Sequence, residues 1–239
     1  MNRFVKRYGW YRGNALEKWV GNLLKEKTGT EDLSFAQLHR LHVKDKRYKD
    51  LFITATNLSK QKSTVFSWQT YPDMKIKTAV RASLSIPLYY SAVRLDEQGN
   101  KITDKKEKHD VFVDGGILAN YPLSLFDKNG IPDTATLGMK LERPEQLKTT
   151  NEEIAPYEIV HFKSYVGALY NLILETLNRD STIKHESFRT IYISTGGISP
   201  KVRKITKRQK DLLYKSGIKG ATEFFQRRLL LNDAPYNDE

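Results

Sequence analysis

The sequence VFVDGGILANYP at residues 111–122 decides the fold. Its β-branched and aromatic start predicts a short buried strand that ends at Asp114 and a pair of glycines. Paired glycines can adopt positive φ and leave space, so another loop or a ligand can approach the carboxylate closely. Asn120 and Pro122 can fix the loop, because Asn bonds to backbone groups and Pro restricts φ. Asp114 is therefore the candidate functional residue, although Asp-Gly-Gly alone is also typical of a turn.

Upstream of this segment, strand patterns are followed by a helix pattern. Residues 51–58 (LFITATNL) and 64–68 (TVFSW) are rich in β-branched and aromatic side chains, with turn residues between them. They predict a pair of neighbouring strands. Residues 75–84 carry apolar side chains at helical spacing, and Pro87 stops the helix that this pattern predicts.

Downstream, residues 127–132 (DKNGIP) are rich in turn residues and predict a loop. Strands are expected at residues 135–141 and 189–194, and helices at residues 157–178 and 206–231. The positions of the last helix that we expect to face inward are Leu213, Ile218, Ala221, Phe225 and Leu229. Strands and helices are mixed along the whole chain, which favours an α/β sandwich.

The composition is that of a globular protein and excludes several kinds of chemistry. Of the 239 residues, 39% are apolar and 28% are charged, and none is cysteine. The lack of cysteine excludes disulfides, Cys-based zinc sites and a cysteine nucleophile. No run of 18 or more apolar residues is present, and the first ten residues lack the apolar centre of a signal peptide. We therefore expect a cytoplasmic protein.

The charge balance is strongly basic. Forty Lys and Arg residues outweigh 28 Asp and Glu, which gives a net charge of +12 and favours anionic partners. Basic residues concentrate at residues 101–108 and 201–210, but these clusters lack the interleaved aromatic side chains of a surface that binds single-stranded nucleic acid. Each cluster is either a solvated face or a docking site for an anionic membrane. We expect no nucleic-acid partner.

Four segments, taken in order, resemble the patatin-like phospholipase family. They are DLFITATNL at residues 50–58, FSW at 66–68, TAVRASLSIP at 78–87 and VFVDGGILANYP at 111–122. Each piece alone is unspecific, but their combination at these spacings is specific.

The resemblance covers residues 10–127 and continues weakly beyond them. It implies an α/β/α sandwich whose patatin-like part is residues 1–127. Residues 128–239 are then expected to continue on the same domain, as strands and two long helices that form a C-terminal extension.

The resemblance also implies a serine esterase that hydrolyses lipid acyl esters through a Ser-Asp dyad, without histidine, cofactor or metal ion. Asp114 matches the family's aspartate, which acts as general base towards the serine. Gly115, Gly116, Asn120 and Pro122 match the supporting positions of the same motif. Burial beside glycine backbone and apolar lipid is expected to raise the pKa of Asp114, which would make it a better base.

The chain departs from the family pattern at the nucleophile. Neither a GxSxG elbow nor a Gly-rich oxyanion loop occurs among the 239 residues. Ser83 and Ser85 lie in the predicted helix and its end, and are not elbow serines. We therefore expect a patatin-like fold that is N-terminally incomplete, and a chain that is inactive alone.

Three explanations remain open: a shortened sequence, a split enzyme and a pseudoenzyme. The expected partners are a phospholipid or other lipid ester, an anionic membrane surface with peripheral attachment, and a chain that supplies the missing N-terminal strands. The alternative function is a non-catalytic module that binds lipid or protein.

Overall fold

The computed structural model describes residues 8–148, 154–160, 162–178, 187–198 and 204–232. The chain forms two compact units that divide after Asn120. This boundary falls inside the loop that follows Asp114. The expectation that residues 128–239 pack on the same domain as residues 1–127 stays a prediction.

The first unit mixes strands and helices, as the sequence predicts. Its strands are β1 (Gly9–Tyr11), β2 (Ile53–Asn57), β3 (Lys62–Phe66), β4 (Leu88–Tyr90), β5 (Val93–Leu95) and β6 (Asp110–Asp114). Its helices are α1 (Asn14–Thr28), α2 (Phe35–Lys44), α3 (Ile76–Ser83) and the single turn α4 (Gly116–Ala119). The predicted strand pair, the helix before Pro87 and the strand that ends at Asp114 are therefore confirmed.

Four of these strands form one sheet in the order β3-β2-β6-β5. Every neighbouring pair in this sheet is antiparallel, and β6 lies between β2 and β5. A short loop joins β2 to β3 as a hairpin, which only antiparallel strands permit. This sheet is therefore antiparallel throughout, whereas β1 and β4 form a separate parallel pair.

The core of the first unit lies where α2 and α3 cover this sheet. Ala79 and Ala82 are fully buried and let α3 pack closely against β2 and β6. Phe66 and Phe112, with ring centroids 5.4 Å apart, fill the space over the sheet. The buried apolar residues of this cluster are Leu33, Phe35, Leu38, Ala55, Phe66, Met74, Ile76, Ala79, Ala82, Val93, Leu95 and Phe112. The core therefore surrounds the strand that carries Asp114.

The second unit is built on two parallel strands, β7 (Gly138–Glu142) and β8 (Thr190–Ser194). Its helices are α5 (Pro144–Lys148), α6 (Phe162–Asn178) and α7 (Lys207–Asn232), with 3-10 turns at Leu123–Phe126 and Ser187–Arg189. The predicted helix at residues 157–178 begins later than expected, because residues 157–160 are not helical. The predicted loop at residues 127–132 is confirmed as a tight turn with a bridge between Lys128 and Ile131.

Helix α7 packs on β8 through small residues. The hydroxyl of Ser216 donates to the carbonyl of Ser194 at 2.7 Å. A Cβ atom added at Gly220 would lie 2.5 Å from the carbonyl oxygen of Tyr192, so glycine is needed for this approach. The face of α7 that contains Ser216 and Gly220 is therefore the face that meets the sheet.

The contact face of α7 differs from the predicted one. Ile218, Phe225 and Leu229 are 52%, 50% and 64% exposed, so their predicted inward positions are wrong. Phe224 is buried instead, at 4% exposure, while Leu213 and Ala221 are partly buried. The close approach at Gly220 orients the helix and turns the apolar residues of the other face outward.

Candidate functional site

Asp114 ends strand β6, and its backbone is held from both sides. On one side β2 pairs with β6, with Ala55 opposite Asp114. The hydroxyl of Thr56 donates to the main-chain carbonyl of Asp114 at 2.9 Å. Thr56 is 2% exposed, so water does not compete for this bond. The strand neighbour therefore fixes the carbonyl end of the residue.

On the other side, β5 does not extend as far as Asp114. Its first residue, Val93, pairs with Phe112, two residues before Asp114. The turn after α3 takes over from β5 at this point. The amide of Asp114 donates to the carbonyl of Ser85 at 3.0 Å, and the amide of Gly115 donates to that of Ser83 at 3.2 Å. Two carbonyls of a turn thus continue the hydrogen bonding that β5 leaves incomplete.

The Asp114 carboxylate is partly buried, and hydrogen bonding offsets only part of the cost of burying its charge. Burial raises its pKa above the ordinary value, and a hydrogen bond from the Gly116 amide opposes this rise. That amide donates to Oδ1 at 2.8 Å. Within the described part of the chain, Oδ2 has no hydrogen-bond partner. One carboxylate oxygen is therefore held in place, and the other remains available to a further donor.

The two glycines after Asp114 serve close packing rather than unusual backbone angles. Gly115 has φ −63°, and Gly116 begins α4, so the expected positive φ is not found at either position. A Cβ atom at Gly115 would lie 2.3 Å from the carbonyl oxygen of Thr54. A Cβ at Gly116 would lie 3.1 Å from the side-chain oxygens of Asp114 and Asn120. Glycine therefore lets the loop lie directly against β2.

The other two predicted positions flank the end of this loop. Asn120 follows α4 as its C-cap residue, and Pro122 precedes the 3-10 turn Leu123–Phe126. They lie on opposite sides of the boundary between the two units. Their function in fixing the loop stays a prediction.

Sequence reasoning missed the groups that hold Asp114. In the sequence, Thr56 looks like any other threonine of a β-strand. The carbonyls of Ser83 and Ser85 are backbone atoms, so their function cannot be predicted from residue type. The Ser85 side chain is completely buried and bonds to Arg81, so its hydroxyl is not available as a nucleophile. This agrees with the expectation that Ser85 is not an elbow serine.

The described histidines do not bond to Asp114. His109 lies in the loop before β6, where its Nδ1 is 2.7 Å from the carbonyl of Glu107. His39 forms a pair that the sequence did not reveal, with Nδ1 2.9 Å from Asp50 and the ring stacked on Trp68 at 4.0 Å. This pair attaches α2 to the residues around β2 and β3. The expectation that histidine has no catalytic role stays a prediction.

Other candidate sites are weaker. A shallow cleft of about 270 Å³ lies between the end of α1 and the face of α2 and includes Leu33, Arg40 and Lys44. It is formed by residues 28–44 and includes no part of β6 or its loop. Among the residues that the structure describes, no group of three His, Asp or Glu side chains could hold a metal ion.

The sequence matches the patatin-like phospholipase family over residues 1–127, which is more than half of the chain. The chain belongs to this family of lipid hydrolases. The matched region contains the whole four-stranded sheet and the Asp114 loop.

Curated relatives include proteins from viruses and a bacterium. "Uncharacterized protein R571" of Acanthamoeba polyphaga mimivirus is 26% identical over 223 residues, which cover 91% of this chain and 65% of the relative. "Uncharacterized protein YqhO" of Bacillus subtilis (strain 168) is 32% identical, over 51% of this chain and 38% of its own length. "Probable lipid hydrolase 463L" of Invertebrate iridescent virus 6 is 27% identical, over 34% and 24%. The chain thus spans less than two thirds of each of these relatives.

A solved structure shares the fold. VipD from Legionella pneumophila superimposes with a TM-score of 0.51 at 21% sequence identity, over 83% of this chain and 36% of VipD. The predicted patatin-like α/β fold is therefore confirmed. In the described part of the chain, no helix has the length and apolar character that crossing a membrane requires.

Proposed function

We propose that this chain supplies the general base of a Ser-Asp lipid acyl hydrolase, and that Asp114 is that base. The proposal depends mainly on the burial, the pKa and the hydrogen bonding of the Asp114 carboxylate. It is partly buried with a raised pKa, Gly116 holds one oxygen, and the other oxygen is available to a hydroxyl donor.

In the proposed reaction, a serine hydroxyl donates to the free oxygen of Asp114. The carboxylate takes the hydroxyl proton as the serine oxygen attacks the ester carbonyl. The proton then passes to the leaving alcohol, and an acyl-serine remains. Water hydrolyses this ester in the second half, with Asp114 again accepting and returning a proton. A raised pKa favours both proton transfers, because it lies nearer to neutral pH than the ordinary value.

We propose that the serine belongs to a segment outside these 239 residues. The chain contains no GxSxG sequence. Ser85, whose carbonyl bonds to the Asp114 amide, has its hydroxyl occupied by Arg81. The segment is either another part of a longer polypeptide or a second chain that adds the missing strands. The oxyanion donors would come with it, because a nucleophile elbow provides one of them.

The proposed substrate is a phospholipid or lysophospholipid ester, presented at an anionic membrane surface. The exposed surface of helix α7 is the observation that supports binding to an anionic membrane. Tyr214, Ile218, Phe225 and Leu229 lie on its outer face and are between 50% and 73% exposed. Cationic side chains accompany this apolar stripe, which is typical of helices that bind at a lipid interface. They are Lys207, Arg208, Lys215 and Lys219.

The decisive experiment uses a form of the protein that includes a GxSxG segment. Asp114→Asn should lower the rate of ester hydrolysis by about 10²–10⁴-fold, the usual contribution of a general base. Asp73→Asn, at an exposed position, is the control and should retain full activity. Retained turnover in Asp114→Asn would remove this residue from the mechanism.

The alternative is a lipid- or protein-binding module without turnover, which the lack of a nucleophile motif favours. A form that includes every segment of the longer protein, binds phospholipid vesicles and hydrolyses no ester would support this alternative.

A further inference from the structure

Arg81, in the last turn of α3, is a buried cation. Its side chain is 2% exposed, and burial lowers the pKa of the guanidinium. A cation is strongly disfavoured at such a position unless its N–H groups are bonded. Among the residues that the structure describes, the oxygens that accept hydrogen bonds from Arg81 are all neutral. Only the charge of Glu17 opposes the effect of burial among the described carboxylates, and none of these bonds to Arg81. A buried arginine in such surroundings calls for a specific function.

The guanidinium joins three separate segments of the first unit. Its Nε and Nη2 donate to the carbonyl of Arg12, after β1, at 3.3 and 2.6 Å. Nη2 also donates to the carbonyl of Ser91, between β4 and β5, at 2.8 Å. Nη1 donates to the hydroxyl of Ser85 at 2.5 Å, and that hydroxyl donates back to the carbonyl of Arg81 at 2.8 Å. Ser85 is thereby fixed by two bonds to one residue.

The start of α1 is shaped to admit this side chain. Gly13 precedes the helix with φ +71°, and a Cβ atom there would lie 2.3 Å from Nε of Arg81. Any other residue would therefore displace the guanidinium or strain the backbone. The space at Gly13 and the bonds to Arg12 show that the Arg81 site is closely fitted.

Ser85 connects this network to the candidate site. Its carbonyl accepts the amide of Asp114, while the carbonyl of Ser83 accepts that of Gly115. These two bonds hold the end of β6 where its neighbour β5 has already stopped. The position of Asp114 consequently depends on the turn that Arg81 holds.

We infer that Arg81 is a positioning residue for Asp114, acting through the Ser83–Ser85 turn. The catalytic meaning of this link rests on the proposed function of Asp114, but the mechanical link does not. Loss of the guanidinium would free the turn, loosen two backbone bonds and let water reach the carboxylate.

The test measures amide hydrogen exchange and the carboxyl ¹³C titration of Asp114 by NMR, on the chain as it stands. In Arg81→Met, the amides of Asp114 and Gly115 should exchange at least about tenfold faster, as expected when local bonds open more often. The amide of Leu58, bonded to the carbonyl of Val111 at the other end of β6, is the internal control and should not change. The pKa of Asp114 should fall towards its ordinary value.

Arg81→Lys retains the charge but not the forked geometry, so it should restore protection only in part. Arg47→Met removes an exposed arginine and should change neither measurement. Unchanged exchange of both amides in folded Arg81→Met would overturn the inference.

If Arg81→Met unfolds, or if the amide of Leu58 also exchanges faster, the exchange of the Asp114 and Gly115 amides is measured in Ser85→Ala instead. This variant removes only the hydroxyl that bonds to Arg81. Faster exchange at Asp114 and Gly115 in this variant supports the inference, and unchanged exchange overturns it. In a form with the nucleophile, Ser85→Ala should lower kcat with little change in KM. If the exchange changes but kcat does not, the link stands and the proposed function of Asp114 fails.

Discussion

The hydroxyl of Thr56 donates to the main-chain carbonyl of Asp114 at 2.9 Å, from a side chain that is almost completely buried. Strand β2 therefore holds the candidate base by its backbone, while the Gly116 amide bonds to one oxygen of its carboxylate. The bond couples the stability of the sheet to the geometry of the site.

Replacing Thr56 tests this coupling. Thr56→Val keeps the shape and loses the donor, so it should lower the free energy of unfolding by about 1–2 kcal/mol. Thr56→Ser retains the hydroxyl and should preserve the bond at a smaller cost in packing. Denaturant unfolding of the three proteins gives the comparison. Equal stability of Thr56→Val and the parent would show that the bond contributes nothing.

Two glycines in the middle of α7 should respond in opposite ways to alanine. Gly217 has open space where a Cβ atom would lie, so Gly217→Ala should stabilise the helix by about 1 kcal/mol. A Cβ at Gly220 would lie 2.5 Å from the carbonyl of Tyr192, so Gly220→Ala should destabilise the second unit. Thermal unfolding of both variants is the measurement. The same shift in both would contradict the packing of α7 on β8.

The positions of these glycines show what the sequence can and cannot predict. Apolar spacing predicted α7 nearly to its ends, because helix periodicity is a local property. The face that packs was mispredicted, because Gly220 and Ser216 decide it through contacts with Tyr192 and Ser194. A backbone contact with a distant strand leaves no signal in local hydrophobicity.

The candidate site, too, could be predicted from the sequence only in part. The Asp-Gly-Gly sequence predicted that a strand ends at Asp114, and this is confirmed, while the catalytic role of Asp114 stays a prediction. The carbonyls of Ser83 and Ser85 and the buried guanidinium of Arg81 could not be inferred, since their alignment with β6 depends on where β5 stops. Tertiary register, rather than residue type, assembles this part of the site.

The acid stability of the second unit should depend on one ion pair. Arg189, 1% exposed, donates to both carboxylate oxygens of Asp127 and lowers the pKa of Asp127 to about 2. A lowered carboxyl pKa gives stability that is complete above the ordinary value of 3.8 and is lost as the pH falls towards about 2.

Unfolding measured between about pH 5, above the ordinary pKa of 3.8, and about pH 2 tests that dependence. Asp127→Asn should be less stable than the parent at pH 5, and the difference should shrink as the pH falls. Asp45→Asn is the control, because its partner Arg47 is 91% exposed and such pairs contribute little. A constant difference between parent and Asp127→Asn across the range would contradict the assignment.

The outer face of α7 should bind anionic vesicles. Each lysine near such a surface contributes about 1 kcal/mol, so Lys207→Gln with Lys215→Gln should weaken binding by roughly thirtyfold. Lys25→Gln with Lys44→Gln removes two exposed lysines from α1 and α2 and serves as the matched control. Cosedimentation with phosphatidylserine vesicles, at low and high salt, is the measurement. Equal loss in both double variants would indicate attraction by net charge alone.

Asp110 begins strand β6 and Asp114 ends it, and neutralising them should have opposite effects on stability. Burial raises the pKa of Asp114, so its charged form is disfavoured in the folded state. Burial also acts on Asp110, but bonds from Lys60 and Asn57 outweigh it and lower that pKa. Asp114→Asn should therefore raise Tm at pH 7, while Asp110→Asn should lower it.

The pH dependence distinguishes this cause from a change in packing. A raised carboxyl pKa means that the parent loses stability as the pH rises from the ordinary value through the folded one. Below the ordinary value of 3.8 the carboxyl is neutral in both states, so the advantage of Asp114→Asn should disappear there. If Asp114→Asn were less stable than the parent at pH 7, the buried charge would be compensated by a second donor besides the Gly116 amide. The carboxylate would then have no free oxygen for a serine.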